Sequence, residues 1–209
     1  MSNTCSCRQR RRFLQLGLAT GAGLLLPSQA RAGNIRELTG PVYINKQVAT
    51  PDSQIWPGDL VTTSHTGRIA FTVDNDAFLL KERTSLQVGE SGDGVVSLLQ
   101  LLTGKLLSVF ETGRDRRIIT PTSTIGIRGT ACFMNVVPDS IYYCNCYGQT
   151  TLTAGGKTEH FEATRHSAHQ IDFDGDKMMG MQVMAVIDHS DDELRQLEGF
   201  VGRVPAFDR

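Results

Sequence analysis

Residues 40 to 152 alternate apolar and polar side chains at a period of two, with Gly, Pro, Asn or Asp turn signals about every ten residues. In "RIAFTVDNDAFLL", Ile69, Phe71 and Val73 share one side, Asp74-Asn75-Asp76 turns the chain, and Phe78 and Leu80 resume the pattern. Val42 and Ile44 precede this stretch in the same rhythm, and Leu86 and Val88 follow it. A side chain every second residue on one face is strand geometry, so the pattern predicts an all-β body. The Leu-rich run "VVSLLQLLTGKLLSVF" also fits a helix, but Gly104 and the flanking turns argue for strand. No strict repeat is present, and the strand–turn rhythm suggests a roll or a solenoid-like winding.

The tail reads differently. Ser190-Asp191-Asp192-Glu193 has the form of a capping box, with two carboxylates placed at the positive end of a helix dipole. Leu194, Leu197 and Val201 follow at helical spacing, and Gly202 can close the helix. The expected plan is a leader at 1–32, a linker at 33–39, a β domain at 40–152, a β/loop extension at 153–189, an amphipathic helix at 190–202 packed on its own domain, and a tail at 203–209.

The leader sets the expected compartment. Arg8, Arg10, Arg11 and Arg12 form a basic start, an apolar run extends from Phe13 to Leu26, and Ala30-Arg31-Ala32 is a small-x-small cleavage signature. The run is too short and glycine-rich for a membrane span. "RRRFLQ" is similar to the twin-arginine consensus with Arg10-Arg11 as the pair, although Gln9 and Gln15 stand where that consensus usually has Ser or Thr and Lys; an ordinary secretory signal is the alternative. Five of the 21 basic residues lie in this leader and none of the 22 acidic ones, leaving 16 against 22 in the mature chain. That balance argues against nucleic acid or anionic lipid as partner. No second apolar span follows, so the expectation is a periplasmic protein without a membrane span, in a compartment that permits disulfides.

Four stretches together resemble the FecR domain, a periplasmic module first known from the ferric-citrate regulator. They are "PGDLVTTSHTGRIAFTV", "FLLKERTSLQV", "LLQLLTGKLLSVF" and "ITPTSTIGIRGTACFMNV", and they cover roughly residues 40 to 150. The last carries the hallmark: Thr120-Pro121, then Arg128-Gly129-Thr130. The resemblance implies an all-β roll without catalytic residues. Family members that regulate transcription join this module to a cytoplasmic anti-sigma segment through a membrane helix. This chain has a leader in that place, so it looks like a free-standing exported member. Physically, Pro121 suits the first residues of a strand. Gly129 permits a bend or a close backbone approach. Arg128, with five donors, suits a clasp on loop carbonyls or a carboxylate.

"RGTACFMNVVPDSIYYCNCYG" holds Cys132, Cys144 and Cys146 around a Pro138-Asp139-Ser140 hairpin tip. Cys144 and Cys146 share a face, whereas the side taken by Cys132 depends on loop length: an odd loop sets it opposite Cys146 or Cys144, and an even loop turns it away. Three readings stay open. The first is a disulfide from Cys132 to Cys144 or Cys146, whose cross-strand spacing lies just above disulfide geometry. The second is three buried thiols. The third is a metal or redox site, disfavoured because strand geometry holds sulfurs two residues apart at about 6–7 Å. His160, His166 and His169 are the remaining ligand candidates and read as surface histidines, and the methionines at 178, 179, 181 and 184 as packing or sticky surface. "DFDGDKMMG" has its glycine at the wrong position for a calcium loop.

No nucleophile elbow, zincin helix or phosphate loop is present. The leading expectation is therefore a non-catalytic exported module with no cofactor and no metal, binding an envelope protein or a cell-surface glycan. The alternative is a thiol-based metal or redox protein centred on Cys132, Cys144 and Cys146.

Overall fold

A computed structural model describes residues 33–89 and 97–209. The leader, with Arg10, Arg11, Ala30 and Ala32, lies outside the described residues.

The strands run in chain order as β1 (Ile35–Thr39), β2 (Val42–Ile44), β3 (Gln47–Val48), β4 (Leu60–Thr63), β5 (Arg68–Val73), β6 (Asp76–Leu80) and β7 (Ser85–Val88). Then come β8 (Leu98–Val109), β9 (Asp115–Ile119), β10 (Thr124–Val137), β11 (Ser140–Ala154), β12 (Lys157–Ala163), β13 (Ser167–Asp174) and β14 (Lys177–Val183). Helix α1 (Asp191–Phe200) and a 3₁₀ turn (Ala206–Asp208) close the chain. The period-two pattern and the helical tail both took the form that their spacing dictates, including the Leu-rich run, which is β8. No helix among the described residues is long and apolar enough to cross a membrane.

The long strands change partners partway. β8 pairs through Leu99–Thr103 with β7 and through Leu106–Val109 with β6. β10 pairs through Thr124–Arg128 with β9 and through Ala131–Val136 with β8. β11 pairs through Ser140–Asn145 with β13 and through Gly148–Ala154 with β12. One continuous sheet therefore rolls on itself. β5, β6, β13, β14 and one half of each long strand form one wall; β4, β7, β9, β12 and the other halves form the second. Phe71, Phe78, Leu80, Leu99, Leu101, Leu106, Ile125, Met134 and Tyr143 fill the space between them. β11 runs through the boundary expected at 152, and β12–β14 pair onto this sheet and each other, so the residues after 152 extend the same body.

The Arg128-Gly129-Thr130 segment is a bulge. Arg128 opposes Gln149 and Ala131 opposes Tyr147, three steps on one strand against two on the other. Gly129 has φ 60°, and a Cβ there would lie 2.8 Å from the Thr112 Cα; the backbone approach explains why this position takes no side chain. Arg128 itself is exposed beside an open cavity, so it is not the loop clasp that its donors suggested. Thr120 and Pro121 form the β9–β10 turn rather than a strand start. The Thr120 hydroxyl accepts from the amides of Thr122 and Ser123 and locks the tight corner.

A second apolar cluster covers the outer face of the first wall. Ala70, Ala77, Leu79, Leu107, Val109 and Phe133 lie under Leu194 and Leu197 of α1. The capping box forms as expected: Ser190 accepts from the Glu193 amide, and the Glu193 carboxylate accepts from the Ser190 amide. Glu193 also pairs with Arg68 at 2.9 Å and Lys81 at 2.8 Å. At the other end Glu198, buried, accepts from the Tyr147 hydroxyl and pairs with Arg203 at 2.5 Å. The helix is thus pinned at both ends by charge and in the middle by leucine.

Candidate functional site

The β10–β11 hairpin settles the cysteine question. Val137 opposes Ser140, leaving a two-residue loop of Pro138 and Asp139. With an even loop Cys132 opposes Asn145 and points into the roll, while Cys144 and Cys146 face the outer cluster under α1. The expected bridge from Cys132 is therefore not formed, and all three thiols are free. Cys132 sits 3.4 Å from the Ser108 hydroxyl, and burial pushes its thiol up to about 12. It is a small core side chain.

The other two cysteines meet two histidines. A second bulge lies where Cys132 opposes Asn145 and Ala131 opposes Tyr147, leaving Cys146 without a cross-strand partner. Bulges re-aim side chains, and here Cys146 and Tyr147 both join the outer cluster. The separation expected of a regular strand does not hold: the ligand atoms of Cys144, Cys146, His166 and His189 all lie within 4.8 Å of one another. His166 caps the turn between β12 and β13 at φ 45°, a strained region for a non-glycine residue, and its amide donates to the Cys146 carbonyl at 2.8 Å. His189 arrives on a strap, residues 184–190, that returns from β14 across the sheet to α1. Its ring stacks on Phe133 at 4.5 Å and 14°.

Each imidazole is oriented by a further contact. His166 Nε2 lies 2.8 Å from Asp191 Oδ1 in the first turn of α1, and Arg165 also pairs with that carboxylate. His189 Nδ1 lies 2.8 Å from the Ile187 carbonyl. These contacts leave His166 Nδ1 and His189 Nε2 facing the cysteines, with His166 Nδ1 3.6 Å from Cys144 Sγ and 3.3 Å from His189 Nε2. A hydrogen bond from Cys146 together with the two imidazoles holds the Cys144 thiol down to about 4 against its burial. Burial and the neighbouring Cys144 push Cys146 up. The Cys144 hydrogen bond and the Asp191 carboxylate raise His166.

A thiolate, an imidazole and a carboxylate in line also resemble a nucleophilic triad. Against that use, Cys144 and Cys146 are both 0% exposed. The open cavity, about 620 Å³ in volume, is lined by other residues, among them Arg117, Arg128, His160 and Glu162. A sealed thiol suits ligation, where the small partner is an ion, better than attack on a substrate that has to reach it.

Sequence reasoning placed Cys144 and Cys146 on one face but grouped them with Cys132 in any thiol site, and it missed the histidines beside them. His166 had been read as a surface residue and is largely covered; His160 is exposed, and His169 lies on β13 against Phe161. His189 carried no signal, since steps of 22 and 23 positions separate Cys144, His166 and His189.

The roll and its covering helix define an all-β module closed by a short C-terminal helix. No family model matches the chain, and no curated protein matches it. Two crystal structures of a candidate anti-sigma factor from Parabacteroides distasonis ATCC 8503 share the fold, with TM-scores of 0.51 and 0.50 and 8% identity. Each alignment covers 59% of this chain and 59% of the other, so the likeness spans about three-fifths of either.

Proposed function

We propose that this protein is an exported, non-catalytic module of the FecR kind that works by binding, in a signalling or scaffolding role in the cell envelope. The observation that carries the reading is the rolled sheet, which is similar to that of the candidate anti-sigma factor structures and is built on the motif stretches that resemble the FecR domain. The leader motif supports export by the twin-arginine route into the periplasm, and the acidic balance of the remainder favours a protein or glycan partner over nucleic acid.

Two experiments test it. Arg10→Lys with Arg11→Lys should leave the chain uncleaved and inside the cell, whereas export unaffected by this change counts against the twin-arginine route. Photo-crosslinking residues placed at Met179 and Met181, exposed on edge strand β14, and at Arg128 beside the open cavity should give a discrete adduct in intact cells. If none of the three positions yields an adduct, and purified cell-surface glycans do not bind, the binding reading fails.

A further inference from the structure

We propose that Cys144, Cys146, His166 and His189 form a tetrahedral site for one zinc ion, and that this ion clamps the 184–190 strap, and with it α1, onto the sheet. The inference stands on geometry alone and is independent of export and of any partner.

The first argument is metric. Zn–S bonds of about 2.3 Å and Zn–N bonds of about 2.0–2.1 Å in a tetrahedron set the S–N edge at about 3.6 Å and the N–N edge at about 3.3 Å. The observed Cys144 Sγ to His166 Nδ1 and His166 Nδ1 to His189 Nε2 separations are 3.6 Å and 3.3 Å. All four ligand atoms fall within a 4.8 Å span.

The second argument concerns protons. Asp191 Oδ1 and the Ile187 carbonyl can only accept hydrogen bonds, so the neutral rings carry their protons on His166 Nε2 and His189 Nδ1. Their opposite nitrogens then present two lone pairs to each other at 3.3 Å. Two lone pairs repel unless a cation lies between them. A zinc ion lying between them would accept both lone pairs while also taking both sulfurs. Uptake exchanges the protons held by the cluster for the ion, with both cysteines bound as thiolates.

The third is the surrounding support. A carboxylate on one ligating histidine and a backbone carbonyl on the other are the outer contacts that fix tautomer and ring angle in zinc sites. Strain at His166, with its φ of 45°, fits a residue held for its side chain. Two thiolates and two imidazoles select a borderline-soft ion over magnesium or calcium. Four protein ligands leave no open position, which makes the site structural rather than catalytic. Its ligands come from β11, the β12–β13 turn and the strap, so the ion joins three segments that are far apart in the chain.

The test uses the full mature chain, purified under reducing conditions. Zinc content by mass spectrometry should be one equivalent. Cobalt(II) titration should give the thiolate-to-cobalt charge-transfer band and the intense visible bands of a tetrahedral ion, saturating at one equivalent. Cys146→Ser and His189→Ala should each weaken zinc binding by more than ~100-fold, and Asp191→Asn by about 10–100-fold, the range typical of outer contacts. His160→Ala, exposed and remote, should change nothing. In hydrogen exchange, stripping the metal should speed the amides of residues 184–200 by at least ~10-fold and leave β8 and β10 unaltered.

Substoichiometric zinc together with featureless cobalt spectra overturns the site. So does binding of octahedral character that survives Cys146→Ser, or a Cys144–Cys146 disulfide in protein isolated without reductant. Unchanged exchange of residues 184–200 on metal removal overturns the clamp. Because cobalt spectra are read on the unmodified chain, a variant that fails to fold does not blunt the result.

Discussion

Substituting alanine for Gly129 isolates the cost of a close backbone approach. At φ 60° an L-residue is in the left-handed region, which costs roughly 1–2 kcal/mol. The new Cβ would also stand 2.8 Å from the Thr112 Cα and 2.9 Å from its Cβ, so either the bulge or the β8–β9 turn must shift its backbone. Overpacking of that kind costs about 1–3 kcal/mol. Gly175, in the β13–β14 turn, supplies the control: its φ is 56°, and nothing lies within 4 Å of a Cβ built there. Gly175→Ala should therefore lose only the conformational part, and Gly129→Ala should lose about 2–5 kcal/mol in total. Urea unfolding with unchanged slope measures both. If the two substitutions cost the same, the approach of Thr112 imposes no constraint, and the bulge explanation of the Arg-Gly-Thr segment is wrong.

Other perturbations test how the roll and its helix are held. Asp76 and Arg116 form a buried pair at 2.7 Å, with side chains 1% and 3% exposed, and Asp76 also accepts from the Glu111 amide. Asp76→Ala strands the guanidinium and should cost about 3–5 kcal/mol by urea unfolding; a loss below 1 kcal/mol would show that water reaches the site. Glu193, although partly desolvated, is held below its ordinary 4.5 by Lys81 and Arg68. A carboxyl lowered in the folded state contributes stability above the unfolded value and loses it as pH falls through the folded one. Thermal stability should thus drop on acidification below about 4.5, and Glu193→Gln should flatten that part of the profile; an identical acid limb in the variant would assign the loss to other carboxyls.

Strands were legible because a half-buried sheet writes its faces into alternate residues, as Ile69, Phe71 and Val73 show. The capping box was legible because both partners sit three residues apart. Arg128 was misjudged because five donors say nothing about which acceptors lie within reach; that depends on which strand lies opposite. The cysteines fall between these cases. Sequence parity placed Cys144 and Cys146 on one face, yet the side taken by Cys132 hung on a hairpin loop of two residues rather than three. One residue of register reverses every side chain, and local composition around Pro138 permitted both.

From the amino-acid order alone follow the all-β body, the terminal helix with its cap, and the shared face of Cys144 and Cys146. These depend on contacts within a few residues, whose geometry the backbone repeats. Tertiary structure alone decided that His166 and His189 converge on those thiols. A bulge at Cys146, a strained turn and a returning strap bring together atoms from distant positions, and no periodicity along the chain encodes such a meeting.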